Sequence, residues 1–123
     1  MSEAALRDRR ILLVEDEFLL AQNLSDEFQA IGASVLGPAA SLERALALIE
    51  QERAIDVAVL DLNLGGVMAY PVADALLARH IPFVFTTGYE DASIRPRYPA
   101  ARTCEKPFAF SALAKALADA LAA

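Results

Sequence analysis

Two apolar periods alternate along this chain. Continuous apolar runs occupy residues 10–14, 57–61 and 83–87, and helical spacing fills the intervals. After the first run, Leu20, Leu24, Phe28 and Ile31 recur at helical spacing, and Gly32 is a stop signal. Ser34-Val35-Leu36 reads as a short strand ended by Gly37-Pro38. Ser41 reads as a helix N-cap, with Leu42, Ala45, Leu46 and Ile49 on one apolar face. Pro71 suits a first helical turn, with Val72, Leu76 and Leu77 on one face. Arg102–Glu105 is a weaker fifth strand. Phe110, Leu113, Ala114, Leu117 and Leu121 predict a strongly periodic last helix. Between the run at 83–87 and the fifth strand, Pro96 and Pro99 exclude a long regular helix over Glu90–Ala101, so the fourth helix is predicted short or broken.

Strand then helix, repeated five times, predicts an α/β fold: a doubly wound, flavodoxin-like, five-stranded parallel sheet with helices on both faces. The expected order is 2-1-3-4-5. Ligands then bind beyond the strand carboxyl ends, where the order reverses between strands one and three. Residues 1–123 read as one domain, with no output domain expected after the last helix.

The strand ends carry the chemistry. The first strand ends in Glu15-Asp16-Glu17, the third in Asp61 and the fourth in Thr86-Thr87-Gly88. Lys106-Pro107-Phe108 follows the fifth. Taken singly, each has a plain reading. A lone Asp at a strand end is usually a turn or cap residue, and an acidic pair after a strand often marks a helix N-terminus. Together, and in this order, they gather carboxylates, a hydroxyl and an ammonium at the topological switch point. Three crowded carboxylates repel one another unless a cation offsets them. Oxygen-only ligands select a hard ion, and few protein ligands plus water suit Mg2+. An aspartate oxygen beside such an ion can attack a phosphoryl group and hold it as an acyl phosphate. Asp61 is the central candidate nucleophile, with Thr87 and Lys106 placed to neutralise charge.

Bulk properties narrow the classes. The net charge is -6, and no basic cluster exceeds Arg7-Asp8-Arg9-Arg10, which argues against nucleic-acid binding. No apolar stretch approaches the ~18 residues of a membrane span. A single cysteine, Cys104, forms no internal disulfide, and with no signal segment a cytoplasmic location is expected.

Ile11-Leu12-Leu13-Val14-Glu15-Asp16-Glu17, Val59-Leu60-Asp61-Leu62-Asn63, Thr87-Gly88 and Lys106-Pro107-Phe108 resemble the motifs of two-component response regulator receiver domains. The resemblance covers nearly the whole chain. Within the family, Phe85-Thr86-Thr87-Gly88-Tyr89 is similar to a subgroup with a Phe-Ala-Thr-Gly-Tyr motif, with Thr86 in place of the alanine. The resemblance implies that Asp61 is the phosphoacceptor. It implies that Asp16 and Asp61 bind Mg2+ directly, Glu15 through water, and Asn63 through its backbone carbonyl. Glu15 stands where aspartate is more common. Thr87 is implied as the switch hydroxyl, Lys106 as the phosphate-pairing lysine and Pro107 as a cis proline. Gly88 and Tyr89 modulate the switch, and Tyr89 with Asn63 flanks the path of hydrolytic water. Thr103 departs from the family, which usually carries an aromatic there. The implied partners are a sensor histidine kinase, of the HWE class for this subgroup, or a phosphotransfer protein. The downstream target is unknown. Phosphorylation is expected to alter residues 87–101, strand five and the last helix, and a partner or a second copy pairing as a homodimer reads that face.

Two competing readings remain at this stage. A Mg2+-dependent aspartyl-phosphate phosphohydrolase needs a general acid two residues after the nucleophile, where this chain has Asn63. A phosphate-independent binding module leaves Asp61 and Lys106 without a role. The receiver is therefore expected to be a signalling module that catalyses only its own phosphorylation and dephosphorylation.

Overall fold

The protein is described here as a computed structural model covering residues 2–88 and 94–123. A short helix α1 (Ser2–Ala5) precedes β1 (Arg10–Val14), α2 (Phe18–Ala30), β2 (Ser34–Ala39), α3 (Leu42–Gln51) and β3 (Val57–Asp61). Then come β4 (Asn63–Leu64), β5 (Val67–Met68), α4 (Tyr70–Ala78), β6 (Phe83–Thr87), α5 (Ile94–Arg97), β7 (Arg102–Glu105) and α6 (Phe110–Ala122). The main sheet runs β2-β1-β3-β6-β7, and every pairing in it is parallel. That is the order 2-1-3-4-5 anticipated from the periodicity.

The sheet divides the interior. Leu12, Val14, Ala58, Leu60, Phe83 and Phe85 face one side, where α3, α4, Ile94 and Tyr98 cover them. Ile11, Leu13, Val57, Val59, Val84 and Cys104 face the other, under α2 and α6. This is the two-residue alternation of a strand, with both faces buried, so the strands read as unbroken apolar runs. β3 is buried along its whole length and fixes Asp61 at the centre of the sheet.

Local signals explain the helices. Ser41 caps α3 by accepting from the Arg44 N–H at 3.2 Å. Gly32 follows α2 at φ +93°, a conformation that costs glycine nothing, and the Ala33 N–H closes on the Phe28 carbonyl. Pro71 lies in the first turn of α4. There the predicted face shifts: Val72, Ala73 and Leu76 are buried, while Leu77 is 51% exposed. Leu77 lies about 100° round the helix from Leu76 and misses the sheet.

The structure departs from the sequence reading at α1, which precedes the first strand, at β2 and at the β4–β5 hairpin. Gly37-Pro38 does not end the second strand, which continues to Ala39. β2 is an edge strand, where a proline without an N–H is tolerated. Gly37 has φ +97°, and a Cβ there would stand 2.7 Å from the Ala39 nitrogen and 2.8 Å from the Leu13 carbonyl oxygen. In addition, Asn63–Met68 folds into the antiparallel β4–β5 hairpin, a feature its Leu-Gly-Gly composition did not announce. Between β6 and β7 the described residues contain the four-residue helix α5, Ile94–Arg97, in line with the short or broken fourth helix expected from Pro96 and Pro99.

Candidate functional site

The carboxyl ends of β1 and β3 bring Glu15, Asp16 and Asp61 together. One ligand oxygen from each lies within 4.8 Å of the others. Glu15 and Asp61 are buried, at 2% and 4% exposure. Backbone donors orient all three. The Glu17 N–H donates to Glu15 Oε2 at 2.9 Å, the Gly65 N–H to Asp16 Oδ2 at 2.8 Å, and the Asn63 N–H to Asp61 Oδ1 at 3.3 Å. The β4–β5 hairpin therefore acts as a clamp on Asp16. Its own turn is held by the Gly66 N–H, which donates to the Asn63 side-chain oxygen at 2.7 Å. That leaves the Asn63 side-chain oxygen occupied within the turn.

Lys106 enters from the end of β7. Its backbone N–H donates to the Thr87 carbonyl, joining β7 to β6. Its Nζ lies 2.9 Å from Glu15 Oε1, 2.8 Å from Glu17 Oε2 and 3.3 Å from Asp61 Oδ2. The Lys106-Pro107 peptide is cis, as anticipated. Thr87 is buried at the end of β6. Its neighbour Thr86 is the register partner of Asp61, which sets Thr87 one residue further along. Gly88 follows it and is exposed. Tyr89 lies outside the described residues. Thr103 is the register partner of Phe85 and is exposed, so among the described residues of β7 no aromatic side chain turns inward.

The charges are in tension. Burial, then the hydrogen bond and repulsion from Glu15, push the Asp61 carboxyl up to about 7, against the pull of Lys106. For Lys106, burial opposes the charge, yet its bonds to Glu17 and Glu15 and the field of Asp61 hold it above the ordinary lysine value. A nucleophilic Asp61 must be ionised near neutral pH. A hard dication among the three carboxylates would supply the positive charge that favours the ionised form. The donor set, oxygen only and partly buried, fits such an ion.

The site contains one group the sequence reading passed over. Glu17 is an exposed carboxylate that shares Lys106 with Glu15. In the sequence it is only the end of an acidic run. Beside it, Phe18 and Leu19 in the first turn of α2 are 77% and 75% exposed.

Comparison with known proteins follows the same outline. The solution structure of SdrG from Sphingomonas melonis Fr1 has a TM-score of 0.79 at 43% identity, over 97% of this chain and 98% of that one. The BeF3-activated conformation of SdrG, recorded from Pseudomonas melonis Fr1, scores 0.75 at 43% identity, over 91% and 95%. The response regulator PhyR from Brucella abortus scores 0.82 at 25% identity, over 97% of this chain and 50% of that one. No curated protein matches the sequence. Residues 11–118 match the family described as response regulator receiver domain. With that match over most of its length, the fold it requires and the acidic pocket at the sheet's switch point, this chain belongs to the response regulator receiver domain family of two-component signalling.

Proposed function

We propose that this chain is a phosphorylation-dependent receiver in which Asp61 accepts a phosphoryl group. The donor is a phosphohistidine on a sensor histidine kinase or a phosphotransfer protein. An Asp61 carboxylate oxygen bonds to phosphorus as the phosphorus–nitrogen bond to the donor imidazole breaks, and the imidazole keeps the electron pair and takes up a proton. Lys106 turns from its carboxylate partners to a phosphoryl oxygen, and the Thr87 hydroxyl donates to another. Glu15, Asp16, Asp61 and the Asn63 carbonyl would hold Mg2+, whose charge offsets that of the phosphoryl oxygens. Gly88 gives the strand end its freedom, Pro107 orients the chain beyond Lys106, and Tyr89 with Asn63 hinders hydrolytic water. Phe18 and Leu19 offer the donor protein an apolar contact beside the pocket.

The observation that carries this reading is the approach of Lys106 Nζ to 3.3 Å from Asp61 Oδ2 inside a three-carboxylate cluster. The 43% identity to SdrG, for which a BeF3-activated conformation exists, supports it. By the motif resemblance of Phe85–Gly88 to the Phe-Ala-Thr-Gly-Tyr subgroup, the donor is an HWE-class kinase, and two copies pair through the face formed by residues 87–101, β7 and α6. Intact-mass measurement after acetyl phosphate and Mg2+ tests the core of the proposal. One added phosphoryl group is expected on the wild type and none on Asp61→Asn. Labelling that persists in Asp61→Asn would move the phosphoacceptor elsewhere.

A further inference from the structure

Tyr98 follows α5 and is only 5% exposed. Its ring packs against Phe85 of β6 and Tyr70 of α4, with centroids 5.5 and 5.7 Å away. Its hydroxyl donates to Asp74 Oδ1 at 2.7 Å and lies 3.3 Å from the Tyr70 carbonyl oxygen. A phenol has one proton, and the shorter contact to the charged acceptor takes it. Burial, then the bond to Asp74, hold the Tyr98 phenol above its usual pKa, so the donor stays protonated. Arg97 reinforces the tie. Its guanidinium lies 3.6 Å from Asp74 Oδ2 and 4.5 Å over the Tyr70 ring. Arg97 and Tyr98 are thus fastened to α4 at Asp74 and Tyr70, with the Asp74 carboxylate taking the charged and hydroxyl contacts.

The same ring reaches β6, the strand that ends in Thr87 next to the acidic site. Phe85 is fully buried, and Thr87 follows it two residues on, leaving β6 on the same face. A shift of Thr87 towards a group on Asp61 therefore moves the end of a strand whose last inward aromatic is packed on Tyr98. In the arrangement described, Lys106 is committed to Glu15, Glu17 and Asp61, so it belongs to the unphosphorylated protein.

We infer that Tyr98 is a positioning residue, whose hydroxyl bond to Asp74 latches residues 94–101 onto α4 and must open when Asp61 captures a phosphoryl group. The inference rests on the receiver reading above. It makes the latch and the site opposing terms of one equilibrium. Removing the latch must tighten binding at the site, because the coupling is reciprocal.

Beryllofluoride with Mg2+ is the probe, titrated by fluorine NMR against wild type, Tyr98→Phe, Asp74→Asn and the double variant. Tyr98→Phe keeps the ring and its packing. Asp74 lies on the surface of α4 and tolerates the amide. Each single variant is expected to melt lower yet bind beryllofluoride about tenfold more tightly, the scale of a hydrogen bond to a charged group. The double variant should gain no more than either single one, as residues in one bond are not additive. A lower melting point with tighter binding is a pairing that lost packing alone does not produce. Unchanged or weaker binding in both single variants, with the wild type binding, overturns the latch. Failure of the wild type to bind beryllofluoride overturns the receiver reading, and the latch with it.

Discussion

Asp61 and Lys106 hold each other in an unsettled balance. Asp61 is lifted to about 7 from an unfolded value of 3.8, so the folded chain binds that proton more tightly than the unfolded one. Stability from this group is then full below about pH 4, declines as pH rises towards 7 and stays low above it. Metal-free protein should therefore lose more stability between pH 4 and 7 than Asp61→Asn, which cannot titrate there. At pH 8 the variant should melt several degrees higher, at roughly 5 °C per kcal/mol. Mg2+ should recover much of that difference in the wild type and little in the variant. Parallel melting curves for the two proteins across this range would refute the account. The acids themselves were legible in the sequence because a buried strand delivers its last residue to a fixed place. Glu17 was not, because its meaning depends on Lys106, which is 89 residues away in the chain.

Elements were legible wherever one period dominated. The runs at 57–61 and 83–87 became β3 and β6 with the expected ends, and the Ser41 cap formed. The failures have specific causes. Gly37-Pro38 looked like a terminator, but an edge strand needs partners on one side only. The β4–β5 hairpin rests on two left-handed glycines and on the Gly65 bond to Asp16, a contact 49 residues apart in sequence. These glycines should not tolerate alanine equally. At Gly66 nothing lies within 4 Å of a new Cβ, so alanine costs only the left-handed backbone, about 1 kcal/mol. At Gly37 the same backbone cost is joined by overlap with two main-chain atoms, which cannot swing aside. Gly37→Ala should melt roughly 10 °C or more below Gly66→Ala by differential scanning calorimetry. Equal melting points would mean that β2 shifts freely at this point. Tyr98 lay beyond sequence reading for the same reason as the hairpin: its partners Phe85 and Asp74 come from other elements.

Across the whole molecule, the sheet order followed from five strand–helix repeats and short connections, with right-handed crossovers leaving little choice. The sheet that results is also a partition. Phe85, Tyr98, Ile94, α3 and α4 lie on one side; Leu6, α2 and α6 lie on the other, with α1 packed on α6. Among the described residues no side chain is shared between the two clusters, and the strands' backbone runs between them. Such a molecule need not open as a unit. The compartment beneath α4 can loosen and reseal while the opposite compartment, which fastens both ends of the chain, stays shut. Native-state amide exchange should resolve two cooperative units, with α4 and residues 94–98 opening at lower free energy than α2 and α6. A single exchange isotherm for all four would deny the partition. Signalling in such a body draws on the fragility of half its interior and leaves the other half as the memory of the fold.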